Sequence, residues 1–132
     1  YLLDLVAWHH LCAMENCSYA PLAREMTTMV YEERFHASFG ARRIKDIVQD
    51  PEYAQLCGAT KADAQRTVDK WYPNALDTFG AAKSKFGDLA VAYGIRRWNN
   101  ETMRQKYRQD IDAQIAAIGL KVPDPEKGRK IH

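Results

Sequence analysis

The sequence predicts an all-α fold: a helical bundle with additional helices toward its C-terminal end. Three observations carry that prediction. Apolar residues recur at helical spacing in several separate stretches. The breaks between those stretches hold the residues that start and stop helices. No run alternates apolar and polar positions over the length of a strand.

The elements follow in order. Residues 2–17 are apolar at most positions, Leu2, Leu5, Val6, Trp8, Leu11 and Met14 among them, with no Gly or Pro. That composition suits a largely buried helix. Ser18 is placed to cap a second helix, and Pro21 fits its first turn, where a missing N–H costs nothing. This helix is predicted over 21–48, with Leu22, Met26, Met29, Val30, Phe35, Ile44 and Ile47 as its apolar side. Gly40 inside it marks a close helix crossing or a kink, and Asp50-Pro51 ends it. A short helix over 51–57 stops at Gly58. Thr60 caps the next, with Asp63 favouring its first turn. Pro73 is expected to break or kink that helix, and the piece from 73 to 79 stops at Gly80. Glycines at 80, 87 and 94 predict loop, with a short helix around 88–93. The last helix runs from Asn99-Asn100 to Gly119, because Met103, Tyr107, Ile111, Ile115 and Ile118 form one buried stripe. The proline-bearing tail after it cannot continue a helix.

Composition narrows the function classes. The 132 residues carry a net charge of +2 with 46% hydrophobic and 27% charged residues. A charge so nearly balanced argues against nucleic acid as a partner, and no apolar run is long enough to cross a bilayer. Cys12, Cys17 and Cys57 match no zinc or disulfide spacing, so reduced thiols and a cytoplasmic location are expected. The opening Tyr1-Leu2-Leu3-Asp4 has no signal-peptide layout and begins inside an amphipathic pattern, as a cut through a longer helix would.

Chemistry concentrates in the first two helices. Glu33 and His36 form Glu-x-x-His, which places a carboxylate and an imidazole on one helix face a turn apart. Ferritin-like di-iron proteins use this pair on two helices, with one further acidic residue from each of two others. If residues 2–17 and 21–48 form an antiparallel hairpin about Ser18/Tyr19, residues at equal height sum to about 37, which sets Asp4 level with Glu33. Asp4 is the one acidic residue among the first fourteen, and a buried carboxylate requires a partner or a cation. Carboxylate oxygens with imidazole suit iron or manganese. The alternative is ordinary pairing: Asp4 at an exposed end, Glu33 with Arg34 or Arg24, and His36 as a core histidine.

Four stretches carry a resemblance that covers most of the chain. They are Ser18-Tyr19-Ala20-Pro21 followed by Glu32-Glu33-Arg34-Phe35-His36; Trp71-x-Pro73-x-x-Leu76-x-x-Phe79-Gly80; Tyr93-Gly94-Ile95-Arg96-Arg97 leading to Asn100-Glu101-x-Met103-Arg104-Gln105; and Leu120-x-Val122-Pro123-Asp124-Pro125. In them the chain resembles the ferritin-like di-iron family of phenylacetic acid catabolism, and within it the C-terminal half of the catalytic large subunit of bacterial phenylacetyl-CoA epoxidases. The resemblance implies a ferritin-like bundle, half of which lies in this chain. Residues 1–132 would form the C-terminal part of one domain: 1–49 a hairpin carrying half of the site, 50–132 additional helices and tail. It implies a di-iron centre with Asp4, Glu33 and His36 as half of the ligands, the rest lying upstream or on a second chain, and no side-chain nucleophile. It further implies ring epoxidation of an aryl-CoA thioester with O2, an electron-transfer reductase and a helical partner subunit. The tail departs from the family pattern, ending Gly128-Arg129-Lys130-Ile131-His132.

Other residues carry weaker signals. Arg42 and Arg43, or Arg96 and Arg97, could meet CoA phosphates; a solvated face is the plainer reading. His9 and His10 point different ways on a helix and, paired across the hairpin with Thr27 and Thr28, meet no acidic group there. They are expected to be structural or to line substrate. Trp8, Trp71 and Trp98 are expected in the core or at a subunit interface, and Met14, Met26 and Met29 as gap-fillers. Two other functions fit the pattern: a non-catalytic ferritin-like scaffold subunit, and a homo-oligomer in which two copies complete one centre.

Overall fold

The computed structural model describes residues 1–131. Six helices follow one another: α1 Leu2–Met14, α2 Ala20–Gln49, α3 Pro51–Leu56, α4 Lys61–Thr78, α5 Lys85–Ala92 and α6 Asn100–Ala117. No strand occurs among the described residues, as the sequence predicts.

Side chains at the helix starts account for most of the boundaries. Asp50 accepts from the backbone N–H groups of Glu52 and Tyr53, Thr60 from Asp63, Ser84 from Gly87 and Asn99 from Thr102, which satisfies donors that have no intrahelical partner. The helix predicted over 2–17 ends at Met14. The chain then turns through Cys17, and Ser18 is held by Gly94 and Tyr93: its N–H donates to the Gly94 carbonyl at 2.7 Å and its hydroxyl to the Tyr93 carbonyl at 2.7 Å. Tyr19, not Ser18, stands at the N-cap of α2.

The break expected at Pro73 does not occur. Helix α4 runs unbroken through Pro73, which is buried; Asn74 Nδ2 donates to the Lys70 carbonyl at 2.7 Å there. Helix α2 passes Gly40 without a break. Of the two readings of Gly40, the close crossing holds: a Cβ on it would lie 2.8 Å from Tyr1 Cβ.

α1 is the hub, packing against α2, α4 and α6. Leu2, Leu5, Val6 and Ala13 meet Val68, Tyr72, Ala75 and Leu76 of α4 and the Met103, Tyr107, Ile111, Ile115 stripe of α6 in one core. Arg104 is buried within it and donates to the Leu76 and Gly80 carbonyls and to Glu101. The two carbonyls are orphan acceptors at and beyond the end of α4. The C-terminal tail folds back onto α4, where the Asp77 carboxylate accepts from the backbone N–H groups of Lys130 at 2.7 Å and Ile131 at 3.3 Å and lies 3.4 Å from Arg129 Nε.

α2 is the exception to this packing. Of its 30 residues only Met26 and Ala37 are buried, while Met29, Tyr31, Phe35 and Phe39 are exposed. Trp8 and Trp98 are partly buried against the core, and Trp71 is exposed. No helix among the described residues is long and apolar enough to cross a membrane.

Candidate functional site

Glu33 and His36 lie a turn apart on α2, with His36 Nδ1 3.6 Å from Glu33 Oε2. The Glu33 side chain is 22% exposed and that of His36 59%. The Phe35 ring meets the His36 ring edge-on at 6.0 Å. His36 is therefore not a core histidine with both nitrogens satisfied inside the fold.

Asp4 lies on the facing helix but has a different partner. Its Oδ2 is 2.8 Å from the Tyr1 backbone nitrogen, within the first turn of its own helix, and its side chain is 39% exposed. It borders a surface hollow with Leu3, Ile44, Thr67 and Trp71. The structure thus brings Glu33 and His36 together and leaves Asp4 apart. Among the described residues no group of three or more His, Cys, Asp or Glu side chains is gathered as a metal site.

The hairpin register explains part of this. Tyr1 abuts Gly40, Leu5 and Ala37 line one groove, and the Arg34 guanidinium lies 5.2 Å over the Trp8 ring. Facing residues therefore sum to about 41 or 42 rather than 37. Asp4 stands level with Ala37, about one turn from Glu33. The shift follows from the connection, which Ser18 pins to Gly94 and Tyr93 rather than closing as a symmetric turn.

The residues fit a metal as part of a coordination shell. A carboxylate oxygen and an imidazole nitrogen on one turn are a donor pair that iron accepts, and both side chains are open to whatever approaches α2. Two such donors do not complete a centre, which needs ligands from other helices.

The two basic clusters lie at opposite ends of the hairpin. Arg42 and Arg43 follow the metal-type pair on α2. Arg43 bonds the Tyr53 hydroxyl at 3.1 Å and lies 4.9 Å over the Phe39 ring. Arg97 donates its backbone N–H to the Ala13 carbonyl and pairs with Glu15 at 3.7 Å, while Arg96 bonds Asn100 Oδ1 at 2.7 Å. Roughly twenty helical residues, on the order of 30 Å, separate the clusters along α2. They do not converge on one ligand-sized site.

His9 corrects the expectation that it meets no acidic group. Its Nε2 lies 2.9 Å from Asp110 Oδ2 of α6, close in distance but off the line of an aligned hydrogen bond. Burial lowers its pKa, Asp110 opposes that shift and Lys106 adds to it. His10 stacks on Phe79 at 5.0 Å and is likewise lowered by burial, then by Arg96 and His9. The signal for a buried His9 was present in the sequence: Leu2, Val6, His9 and Ala13 recur at four, three and four. The acidic partner on α6 had no such signal. Burial raises the Cys12 thiol to about 11, so it is not a nucleophile at neutral pH.

Comparisons with known proteins extend over nearly the whole chain. The sequence profile described as phenylacetic acid catabolic protein matches residues 1–131. The chain is also similar to one of the subunits of 1,2-phenylacetyl-CoA epoxidase from Escherichia coli (strain K12), with 28% identity over 128 residues, 96% of this chain and 40% of that protein. It spans well under two thirds of that curated relative.

Proposed function

The chain belongs to the phenylacetic acid catabolic protein family, and from that premise we propose that it is part of a subunit of a multicomponent di-iron monooxygenase that epoxidises the aromatic ring of an aryl-CoA thioester such as phenylacetyl-CoA. The observation that carries the reading is the Glu33–His36 pair, held one turn apart at 3.6 Å on the open side of α2. The likeness to a phenylacetyl-CoA epoxidase subunit supports the choice of reaction. The all-helical fold is the class in which carboxylate–histidine di-iron sites are built on facing helices.

In this proposal the Glu33 carboxylate and the His36 imidazole hold one iron from the side of α2. Asp4 joins them from α1, and the remaining ligands come from residues outside this chain's half of the site. The metals, when bound, supply the redox chemistry: activation of O2 with electrons from a reductase and delivery of one oxygen atom to the ring. The protein supplies the ligand geometry and places the thioester. Phe35 packs edge-on to His36 and limits the orientations open to the imidazole.

The test uses the full-length protein in its assembly. Iron per protomer and turnover of phenylacetyl-CoA are measured for wild type, Glu33→Ala and His36→Ala, with circular dichroism as the check on folding. Both variants are expected to stay folded, to lose iron and to lose turnover by at least a hundredfold. Retained iron and turnover in both would sink the proposal. A wild-type assembly with iron only on another subunit would make this chain the non-catalytic scaffold.

A further inference from the structure

The tail, whose sequence departs from the family pattern, lies along α4. Gln65, Asp69, Pro73 and Asp77 stand four residues apart on that helix and form one inclined stripe. Gln65 holds the chain at one end of the stripe. Its Nε2 donates to the Lys121 carbonyl at 2.9 Å, and its Oε1 accepts from the Lys121 N–H at 2.8 Å. Asp77 holds the chain at the other end. Its carboxylate accepts from the Lys130 and Ile131 N–H groups, and Arg129 Nε lies 3.4 Å away.

Between these two points the chain is longer than the gap it spans. Gln65 and Asp77 are on the order of 18 Å apart along the helix, whereas the chain from Lys121 to Lys130 could reach about 30 Å if extended. The spare length bows outward. A turn at Asp124 takes it up: the Glu126 N–H donates to Asp124 Oδ1 at 2.9 Å and the Lys127 N–H to the Asp124 carbonyl at 3.2 Å. Under the bow, Asp69, Pro73, Val122, Pro123 and Gly128 border a hollow of about 580 Å³. The two ends are held differently. At the Gln65 end Leu120 is buried in the core and Val122 packs against it, and beyond Val122 no described apolar residue joins the core. The Asp77 end rests on polar contacts, with the Asp77 and Arg129 side chains 12% and 7% exposed. Bonds to a carboxylate are strong when water is kept away. Gly128 sets the approach with a φ of 88°, which glycine adopts freely and a β-branched residue does not.

We propose that residues 123–131 are a strap latched by Asp77, which releases from α4 as a unit and uncovers the hollow while Leu120, Val122 and the helical core stay in place. A segment opens locally at the cost of the contacts it breaks, and here those are the bonds to one carboxylate. Without that carboxylate the Lys130 and Ile131 N–H groups lose their acceptor against α4, and water supplies one when the strap lifts. The anchored end does not follow, because Leu120 would have to leave the core. Gly128 is the second requirement of the closed form, since its backbone conformation turns the following N–H groups toward Asp77. The inference does not rest on the proposed function, because neither metal nor substrate enters it.

Hydrogen exchange resolved to single amides, with trypsin cleavage as a second readout, tests this on the full-length protein. In Asp77→Ala the Lys130 and Ile131 amides are expected to exchange at least about tenfold faster than in wild type. Cleavage after Lys127 and Arg129 is expected to speed up by a similar factor, while the α4 and α6 amides keep their wild-type rates. Gly128→Val, which leaves Asp77 in place, is expected to give the same release. Gln65→Ala is expected to free the Lys121 amide and leave Lys130 and Ile131 protected. Unchanged exchange at Lys130 and Ile131 in either release variant overturns the proposal. Equal acceleration through α4, α6 and the tail also overturns it, since Asp77 would then support the whole fold. So does loss of protection at Lys130 and Ile131 in Gln65→Ala, which would make the other end the latch. Wild-type Lys130 and Ile131 amides exchanging as in an unstructured peptide would overturn it as well.

Discussion

His9 and His10 are neighbours in sequence with separate surroundings. His9 is wedged between α1 and α6, with Asp110 favouring its protonation, Lys106 opposing it and Tyr107 edge-on at 5.9 Å. His10 lies against Phe79 with Arg96 nearby. Both folded pKa values are lowered, chiefly by burial, so the unfolded chain binds protons at these positions before the folded one does. Their contribution to stability is complete above the unfolded histidine value of about 6.5 and declines as the pH falls below it. Urea unfolding between pH 7.5 and 5.5 should show stability falling with pH, and His9→Gln should reduce that slope. A slope unchanged in both His9→Gln and His10→Gln would mean that neither imidazole is held neutral by the fold.

The crossing of α1 and α2 is decided at Gly40. Replacing an exposed helical Gly by Ala ordinarily stabilises by about 1 kcal/mol. Here the added carbon would lie 2.8 Å from Tyr1 Cβ and 3.0 Å from the Tyr1 backbone, closer than atoms of two packed helices can stand. Overpacking of this kind costs about 1–3 kcal/mol, so the two effects have opposite signs and the larger one is readable. Gly40→Leu is expected to lower the stability measured by denaturant unfolding by about 1–3 kcal/mol, and Gly40→Ala is expected to bring none of the usual gain. A stabilised Gly40→Ala would show that the helices part there at no cost. The same crossing sets Asp4 a turn away from Glu33, so an element-scale contact fixes what a ligand residue can reach.

Burial is divided unequally across the molecule. α4 and α6 each bury six residues, whereas α2, the longest helix, buries two. Local opening follows such differences, because a segment with few buried contacts opens without the rest. Amide exchange of the chain by itself should therefore be slower in α6 and α4 than over residues 20–36 of α2. Within its assembly the same α2 amides should slow markedly. Equal protection along α2 and α6 in the lone chain would contradict that ordering. The helix left open by this asymmetry carries the Glu33–His36 pair.

Helix identity was legible because it is local. The Met103–Ile118 stripe, the cap at Thr60 and the stop at Gly80 follow from spacing and from side chains bonding their own backbone within a few residues. The neighbourhood of Glu33 and His36 was legible for the same reason, since one helical turn fixes it. Register was not, because it depends on contacts distant in the chain: Ser18 against Gly94, Gly40 against Tyr1, His9 against Asp110. No local pattern specifies which side chains meet across elements dozens of residues apart in the chain. The position of Asp4 relative to Glu33, the partner of His9 and the unbroken passage of α4 through Pro73 were therefore settled only when the helices packed.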